Sequence, residues 1–180
     1  MPTAASYDPQ KGEYYIEDTN TNHVLYTKMS GSFTIRATIS AVSADGASLN
    51  GWGYVFAAQD FNAGSMVYGV GNRVDNSVID WWGTFTGSGG FQGQPSAMIS
   101  PTLQDGLVKL VRDGNIISFQ YYNPGSQEWV LIKQLEIDLK DPVVVGIGAW
   151  CDRSSRVINA RFTGVELLST SNVSEYELYE

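Results

Sequence analysis

The stretch that decides the fold covers residues 107–168 and reads LVKLVRDGNIISFQYYNPGSQEWVLIKQLEIDLKDPVVVGIGAWCDRSSRVINARFTGVELL. It consists of short runs in which apolar and polar residues alternate, which is the period of a β-strand with one buried face. Residues that favour tight turns separate the runs, at Asp113-Gly114, Asn123-Pro124-Gly125 and Asp141-Pro142. The stretch therefore predicts a series of antiparallel strands.

The same pattern extends over most of the chain and predicts an all-β protein, a two-sheet antiparallel sandwich. No window keeps a helical period. The glycine-rich residues 83–96 predict a long loop, the best candidate for a functional one. We expect a single domain over residues 1–168 and a polar C-terminal tail over 169–180. The predicted strands cover 24–29, 33–42, 51–59, 65–71, 77–84, 97–99, 107–112, 116–122, 128–137, 143–151 and 157–168.

The order of the elements in about the last 65 residues carries a family resemblance. A Leu110-Val-Arg-Asp-Gly114 hairpin comes first, then a strand with Trp129, then Val145-Gly-Ile-Gly-Ala149, and finally Ala160-Arg-Phe-Thr-Gly-Val-Glu-Leu167. This order resembles the C-terminal half of a concanavalin A-like (laminin-G-like) jelly roll. Within that superfamily it is most similar to a bacterial family of unknown function found with sugar-active proteins, and to accessory modules of glycoside hydrolases. The resemblance implies a jelly roll that acts as a non-catalytic carbohydrate-binding or adhesion-type module.

Composition limits the partners. The net charge is −8 and the 11 Lys and Arg residues are scattered, which argues against nucleic acid, because that binding needs clustered basic side chains. No apolar run is long enough to span a membrane. The first ten residues show no secretion signal, yet the low Lys content and the many Tyr, Thr, Asn and Gly residues are typical of secreted bacterial polysaccharide-related modules. We therefore expect an extracellular or cell-surface location, with a glycan and other domains of a longer chain as the partners.

Alternation assigns side chains to faces. In the strand at 143–151, Val143, Val145, Ile147 and Ala149 form an apolar face, while Gly146, Gly148 and Trp150 face away. Glycine also recurs on one phase at Gly69 and Gly71. Repeated glycine on one face indicates that something approaches closely there, either a ligand in a shallow groove on a concave sheet or, equally, the sheet's own curvature. The predicted inter-sheet core comprises Phe33, Ile35, Ala37, Ile39, Tyr54, Phe56, Leu110, Phe119, Val145, Ile147 and Phe162, with Trp52 and Trp129 also assigned to the core.

The predicted ligand site lies on this glycine face. Trp150 would stack on a sugar ring together with whichever of Trp81 and Trp82 is exposed, because adjacent strand residues point to opposite faces. The polar partners predicted for the sugar hydroxyls are Arg73, Asp80, Gln59, Asp152 and Arg153.

Two other functions remain open. Glu136-Ile-Asp138-Leu-Lys-Asp141 is similar to the E-x-D-x-x-E signature of retaining β-glucanases of this fold, which implies a glycoside hydrolase using Glu136, Asp138 and Asp141. Asp141 stands where that signature has Glu, and Pro142 ends the run, so we expect the triplet to be idle. The alternative to both is a structural interaction domain of a larger secreted protein.

Other chemistry has little support in the sequence. His23 and Cys151 are the only residues of their types, which argues against zinc and against a nucleophilic triad. We expect no cofactor. The alternative is a structural Ca²⁺ of the kind that many folds of this type carry, for which Asp8, Glu17, Asp18, Asp60 and Asp75 are suitable oxygen donors.

Overall fold

The computed structural model describes residues 5–18, 23–43, 51–62, 64–73, 79–85, 106–151 and 158–169. Within them the regular structure is β, and no helix is long and apolar enough to cross a membrane. The strands are β1 (Ala5–Asp8), β2 (Glu13–Asp18), β3 (Val24–Met29), β4 (Phe33–Ser43), β5 (Gly51–Ala58), β6 (Met66–Arg73), β7 (Ile79–Phe85), β8 (Gly106–Asp113), β9 (Ile116–Asn123), β10 (Glu128–Glu136), β11 (Val143–Cys151) and β12 (Ile158–Ser169). The strand predicted at 97–99 and residues 86–96 of the predicted loop lie outside the described residues.

The strands form two sheets, which confirms the predicted antiparallel sandwich. The seven-stranded sheet has the order β1-β2-β12-β4-β8-β9-β10, and the five-stranded sheet has the order β3-β11-β5-β6-β7. Neighbouring strands pair antiparallel throughout. The predicted turns join β8 to β9, where Gly114 has a φ of 58°, and β9 to β10, where the amide of Gly125 donates to Oδ1 of Asn123 over 2.9 Å.

The β1–β2 hairpin was not predicted. Oδ1 of Asp8 closes its turn by accepting hydrogen bonds from the amides of Gln10 and Lys11, and Gly12 follows with a φ of 62°. Ile16, on the inward phase of β2, is fully buried. The hairpin therefore extends the seven-stranded sheet beyond β12.

A β-bulge divides β12. Thr163 pairs with Thr38 and Glu166 pairs with Arg36, so Gly164 and Val165 together oppose a single residue of β4. Gly164 has a φ of 58°, as expected for a bulge that begins with a left-handed glycine. The extra residue shifts the inward phase from Phe162 to Val165 and Leu167.

The core between the sheets contains nine of the eleven predicted residues. Tyr54 and Phe56 are also buried, at 3% and 0% exposure, but in a second apolar cluster. Their assignment to the inter-sheet core was wrong. On β5 it is Gly53, Val55 and Ala57 that face the other sheet, and a Cβ on Gly53 would lie 2.7 Å from Cγ2 of Ile39.

Trp52 and Trp129 were also wrongly assigned to the core. Trp52 is half-buried and packs against the second apolar cluster with Tyr54 and Phe56. Trp129 belongs to β10 of the seven-stranded sheet. Its inter-strand partner is Tyr122, and the two rings meet edge to face with centroids 5.7 Å apart. Nζ of Lys109 lies 4.1 Å from the centre of the Trp129 indole, and burial lowers the pKa of Lys109, with the nearby Arg36 charge adding to the effect. Trp129 therefore lies half-buried on the outer side of the seven-stranded sheet.

Candidate functional site on the outer face of the five-stranded sheet

The side of the five-stranded sheet that faces away from its partner sheet carries an ordered set of aromatic residues, which we call the outer face. Trp52, Tyr54 and Phe56 alternate along β5. On β11 they pair with Trp150, Gly148 and Gly146 respectively. On β6, Gly71 and Gly69 pair with Tyr54 and Phe56. Columns of glycine thus flank a column of aromatic residues.

These glycines lie in close contact with neighbouring strands of the same sheet, Gly148 against a side chain and Gly71 and Gly146 against backbone. A Cβ added to Gly148 would lie 2.7 Å from Cε2, Cζ and Oη of Tyr54, so the Tyr54 ring lies directly over Gly148. A Cβ on Gly71 would lie 2.2 Å from the carbonyl oxygen of Gly53, and one on Gly146 would lie 2.0 Å from that of Leu25. The close approach predicted from the glycine pattern is therefore made by the protein itself, and over Gly148 it is made by the Tyr54 ring.

At one end of the outer face the indoles of Trp52 and Trp150 stack, with ring centroids 5.5 Å apart and planes 26° from parallel. Both side chains are half-buried and pack against the cluster that contains Tyr54 and Phe56. They keep part of their surface in solvent, whereas Tyr54 and Phe56 keep almost none. The indole pair is thus the accessible part of this end.

The opposite end of the outer face has a second aromatic group. Phe61, in the turn between β5 and β6, is 41% exposed. Its ring lies 5.0 Å from that of Tyr26 on β3, edge to face, and 5.9 Å from that of Phe56. Oδ1 of Asp60 holds this turn by accepting hydrogen bonds from Ser65 and from the amide of Asn62. Because the turn is fixed, Phe61 is held at the edge of the outer face.

Trp81 is the buried member of the Trp81–Trp82 pair. It is 7% exposed, belongs to the inter-sheet core and stacks on Phe119 with centroids 5.3 Å apart. Trp81 therefore takes no part in a site on the outer face, and Trp82 remains the candidate. The backbones of Trp82 and Asp80 pair with Gly69 and Gly71 on β6.

Of the predicted polar partners, Arg73 has its backbone paired with Trp52, while Asp152 and Arg153 lie outside the described residues. Gln59 has a different role. Its Nε2 donates to the carbonyl of Lys140 over 2.8 Å, and its Oε1 accepts from the Lys140 amide over 2.6 Å. Both ends of the amide are used to hold the end of β5 to the segment before β11. This pairing argues against Gln59 as a ligand-binding residue.

The three acidic residues of the alternative catalytic site lie on another part of the molecule. Glu136 is the last residue of β10, at the edge of the seven-stranded sheet, and is exposed. Asp138 is paired with Lys140 in solvent. Asp141 is paired with the buried Arg112 and accepts a hydrogen bond from the Gly31 amide over 2.9 Å. The triplet is thus remote in the fold from the indole pair.

Arg112 fixes the position of Asp141. The Arg112 side chain is only 6% exposed and also donates to three backbone carbonyls: Nη2 to Leu139 over 2.7 Å, Nε to Gly114 over 3.2 Å and Nη1 to Gly31 over 3.3 Å. The hydrogen bond from Arg112 lowers the pKa of the Asp141 carboxyl most strongly, and the Gly31 amide lowers it further. Asp141 is therefore an ionised structural residue, which does not suit the proton-carrying member of a catalytic pair.

We expect Glu136→Gln to leave any action on β-glucans unchanged, because the three carboxylates are solvent-exposed or held in ion pairs. The measurement is a reducing-sugar assay on purified wild-type and variant proteins, with circular dichroism to check the fold. Hydrolysis by the wild type that disappears in a folded Glu136→Gln variant would show that the triplet is catalytic.

The remaining candidates for chemistry have structural roles where they are described. Nδ1 of His23 donates to the carbonyl of Glu17 over 2.8 Å, and the His23 carbonyl accepts from the amide of Ala149 over 3.1 Å. Asp8 and Asp60 close their own turns, and Glu17 accepts from the hydroxyl of Tyr15 over 3.3 Å. In the part of the chain that the structure describes, no three Asp, Glu, His or Cys residues are grouped so that they could hold a metal ion. Asp75 lies outside that part.

Sequence reasoning missed the aromatic residues on the outer face of β3, β5 and the following turn: Tyr26, Trp52, Tyr54, Phe56 and Phe61. A signal was present, since Trp52 is in phase with Tyr54 and Phe56 and the opposite phase, Val55 and Ala57, is equally apolar. A strand that is apolar on both phases carries two apolar faces.

Comparison with solved structures identifies the fold. A crystal structure of a functionally unknown protein from Saccharomyces cerevisiae matches with a TM-score of 0.59 and 13% identity, over 96% of this chain and 95% of that one. Xylan β-1,4-xylosidase from Bacillus halodurans C-125 matches with a TM-score of 0.62 and 10% identity, over 91% of this chain and 34% of the enzyme. The carbohydrate recognition domain of Emp46p matches with a TM-score of 0.53 and 13% identity, over 88% and 85%.

These likenesses show a concanavalin A-like jelly roll, as the sequence resemblance implied. Two of the three matched proteins have names that concern carbohydrates. With sequence identities of 10–13%, the matches establish the fold of this chain alone. No protein-family model matches the sequence, and no curated protein matches it either.

Proposed function

We propose that the protein is a non-catalytic, lectin-like module that binds a glycan on the outer face of the five-stranded sheet. The observation that carries this proposal is the stacked pair of Trp52 and Trp150, which lies half-buried at one end of that face. Two adjacent, partly accessible indoles offer a flat apolar area, and contiguous apolar patches at a surface mark binding sites.

Stacked indoles suit a sugar ring because the ring is amphipathic. The axial C–H groups of a pyranose form flat apolar patches that can lie against an indole, while the equatorial hydroxyls need planar polar partners at the rim. The two indole planes are nearly parallel, at 26° to each other. Since Trp52 and Trp150 are on adjacent paired strands, their positions are set by the sheet rather than by a loop. Such a platform is pre-organised, which lowers the entropic cost of binding.

The proposed polar partners for the sugar hydroxyls are residues on β6 and β7 beside the aromatic column, and residues that follow β11. Arg73 pairs with Trp52 and Asp80 pairs with Gly71, so both backbones lie beside the aromatic column. Asp152 and Arg153 follow Trp150 closely in the chain. We retain these four residues and Trp82 as the proposed ligand contacts.

The names of two similar structures agree with this proposal. One of them is named as a carbohydrate recognition domain and another as a xylan-degrading enzyme. The chain spans only 34% of the xylosidase, so the match is no reason to assign that enzyme's activity to this protein. The positions of Glu136, Asp138 and Asp141, away from the indole pair, favour binding over hydrolysis.

Trp150→Ala is expected to abolish glycan binding while the domain stays folded. A single stacked platform binds a mono- or disaccharide weakly, with a Kd of roughly millimolar to tens of micromolar, or about −4 to −7 kcal/mol. Losing one of two stacked rings should therefore bring the affinity below detection. The measurement is a glycan array to find the ligand, followed by calorimetric titration of both proteins.

The matched control is Trp129→Ala, which removes a half-buried indole from the outer side of the other sheet. This variant should bind the glycan as the wild type does. Equal loss of binding in both variants, or a Trp150→Ala protein that no longer folds, would mean that the indole pair is structural and that the proposed site is wrong.

A further inference from the structure

A cavity of about 220 Å³ opens between the two sheets at the side where β1 and β3 form their edges. One wall is the inner face of β3 and β11, with Leu25, Val145 and Ile147. The other wall belongs to the β1–β2 hairpin and the end of β12. The cavity therefore lies on the inner side of β11, away from the Trp52–Trp150 pair.

Two features of the seven-stranded sheet create this space. The β1–β2 hairpin adds two strands beyond β12 and brings Tyr7 and Tyr14 to the cavity, with their rings 4.5 Å apart. The bulge at Gly164 turns Val165 and Leu167 inward. Tyr7 remains 51% exposed, so it stands where the cavity meets solvent.

The lining is apolar. None of the side chains lining the cavity is charged, and the polar groups of the lining residues are a few side-chain hydroxyls and the backbone. Water occupies a cavity when two to four polar groups can bind it, whereas apolar cavities stay dry and take up apolar molecules. An engineered apolar cavity of about 150 Å³ in another protein holds benzene. A space of this larger size can therefore accept an aromatic ring or a short alkyl chain.

We propose that this cavity is a binding site for a small uncharged apolar molecule, of the size of a monocyclic or bicyclic aromatic compound or a short alkyl chain. The site is separate from the proposed glycan surface. Val144 and Val145 are adjacent in β11, yet the first packs in the outer-face cluster and the second in the inter-sheet core. The two sites are thus on opposite faces of one strand and can be tested independently.

The test is a titration of the whole protein with indole, followed by NMR of selectively labelled Ile, Leu and Val methyl groups. The methyl signals of Leu25, Val145, Val165 and Leu167 should shift progressively and saturate. The methyls of Val144 serve as the internal control and should not move. Inositol, which is uncharged and polar, should shift neither set.

A second measurement uses variants that fill the cavity. Val165→Phe and, separately, Leu167→Phe should weaken indole binding about tenfold or more, because the ligand would overpack the site beside the new ring. Trp150→Ala should bind indole as the wild type does, which separates this proposal from the glycan site. If one filling variant fails to fold, the other and the wild-type titration still decide.

Three outcomes would overturn the proposal. The first is that the methyl signals around the cavity stay fixed at saturating indole concentrations. The second is that the filling variants bind indole as tightly as the wild type, which would place the ligand elsewhere. The third is that the same methyl signals shift with protein concentration and not with indole, which would identify a second copy of the chain as the occupant.

Discussion

Phe162→Ala is expected to lower the free energy of unfolding by about 3–5 kcal/mol, the usual cost of removing a large aromatic side chain from a packed core. Phe162 is fully buried between the sheets on the β12 strand. A Cβ on Gly53, in the facing sheet, would lie 3.5 Å from Cζ of Phe162, so the ring is in van der Waals reach of the facing sheet at this glycine. Both sheets would therefore border the new cavity.

Chemical denaturation followed by tryptophan fluorescence measures this effect, and the melting temperature should fall on the order of 10 °C. The matched control is Leu168→Ala on the same strand, since Leu168 is 56% exposed. We expect that control to stay within about 0.5 kcal/mol of the wild type. A Phe162→Ala protein as stable as the control would contradict the packing described for the core.

Arg112→Met should be the second most damaging substitution, at about 2–4 kcal/mol. Methionine fills part of the space, but the carbonyls of Leu139, Gly31 and Gly114 each lose a charged donor, and Asp141 loses its ion pair. Asp141 is 43% exposed, so water can solvate its freed charge, and the estimate stays below that for a fully buried pair. Urea denaturation at pH 7 measures the difference.

Asp141→Asn removes the negative charge of the Arg112–Asp141 ion pair but keeps a side chain of nearly the same shape. The folded protein holds the pKa of Asp141 below its ordinary value, so the unfolded chain binds this proton more readily. The carboxylate therefore stabilises the fold fully above pH of about 4 and loses that effect as pH falls through its lowered pKa. We expect the Asn variant to show a smaller acid-induced loss of stability than the wild type. Identical pH profiles would mean that the ion pair contributes nothing measurable.

Much of the fold was predictable because the last third of the chain combines regular alternation with unambiguous turns. Asp113-Gly114 and Asn123-Pro124-Gly125 lie where β8, β9 and β10 are joined. On β11 the alternation of Val145 and Ile147 with Gly146 and Gly148 assigns both faces correctly, since only one of them has the volume for a core.

The faces of β5 could not be predicted in this way. Both phases of this strand are apolar, and hydrophobicity alone does not decide which one meets the other sheet. The side chains in the facing sheet decide it. Ile39 and Ala160 approach Gly53 so closely that only the small-residue phase fits between the sheets. Trp52, Tyr54 and Phe56 are therefore left on the outer face.

Two other features were missed for different reasons. Strand β1 has only four residues, too few for a period to be recognised. The bulge in β12 had a detectable sign in the sequence, because the apolar phase changes from Ala160 and Phe162 to Val165 and Leu167 across Gly164. A change of phase at a glycine indicates a bulge.

The edge strand β10 has its own irregularity, with consequences for the protein at high concentration. Its pairing with β9 shifts between Leu131 and Lys133 and leaves two regular runs of four residues, 128–131 and 133–136. An uninterrupted edge strand offers a ladder of backbone donors and acceptors on which further chains can assemble into filaments, and natural proteins interrupt such edges with bulges and lysines. β10 has both at one point, next to Leu131, which is 54% exposed. Fibril growth from this edge is therefore obstructed at the place where an apolar side chain would otherwise favour it.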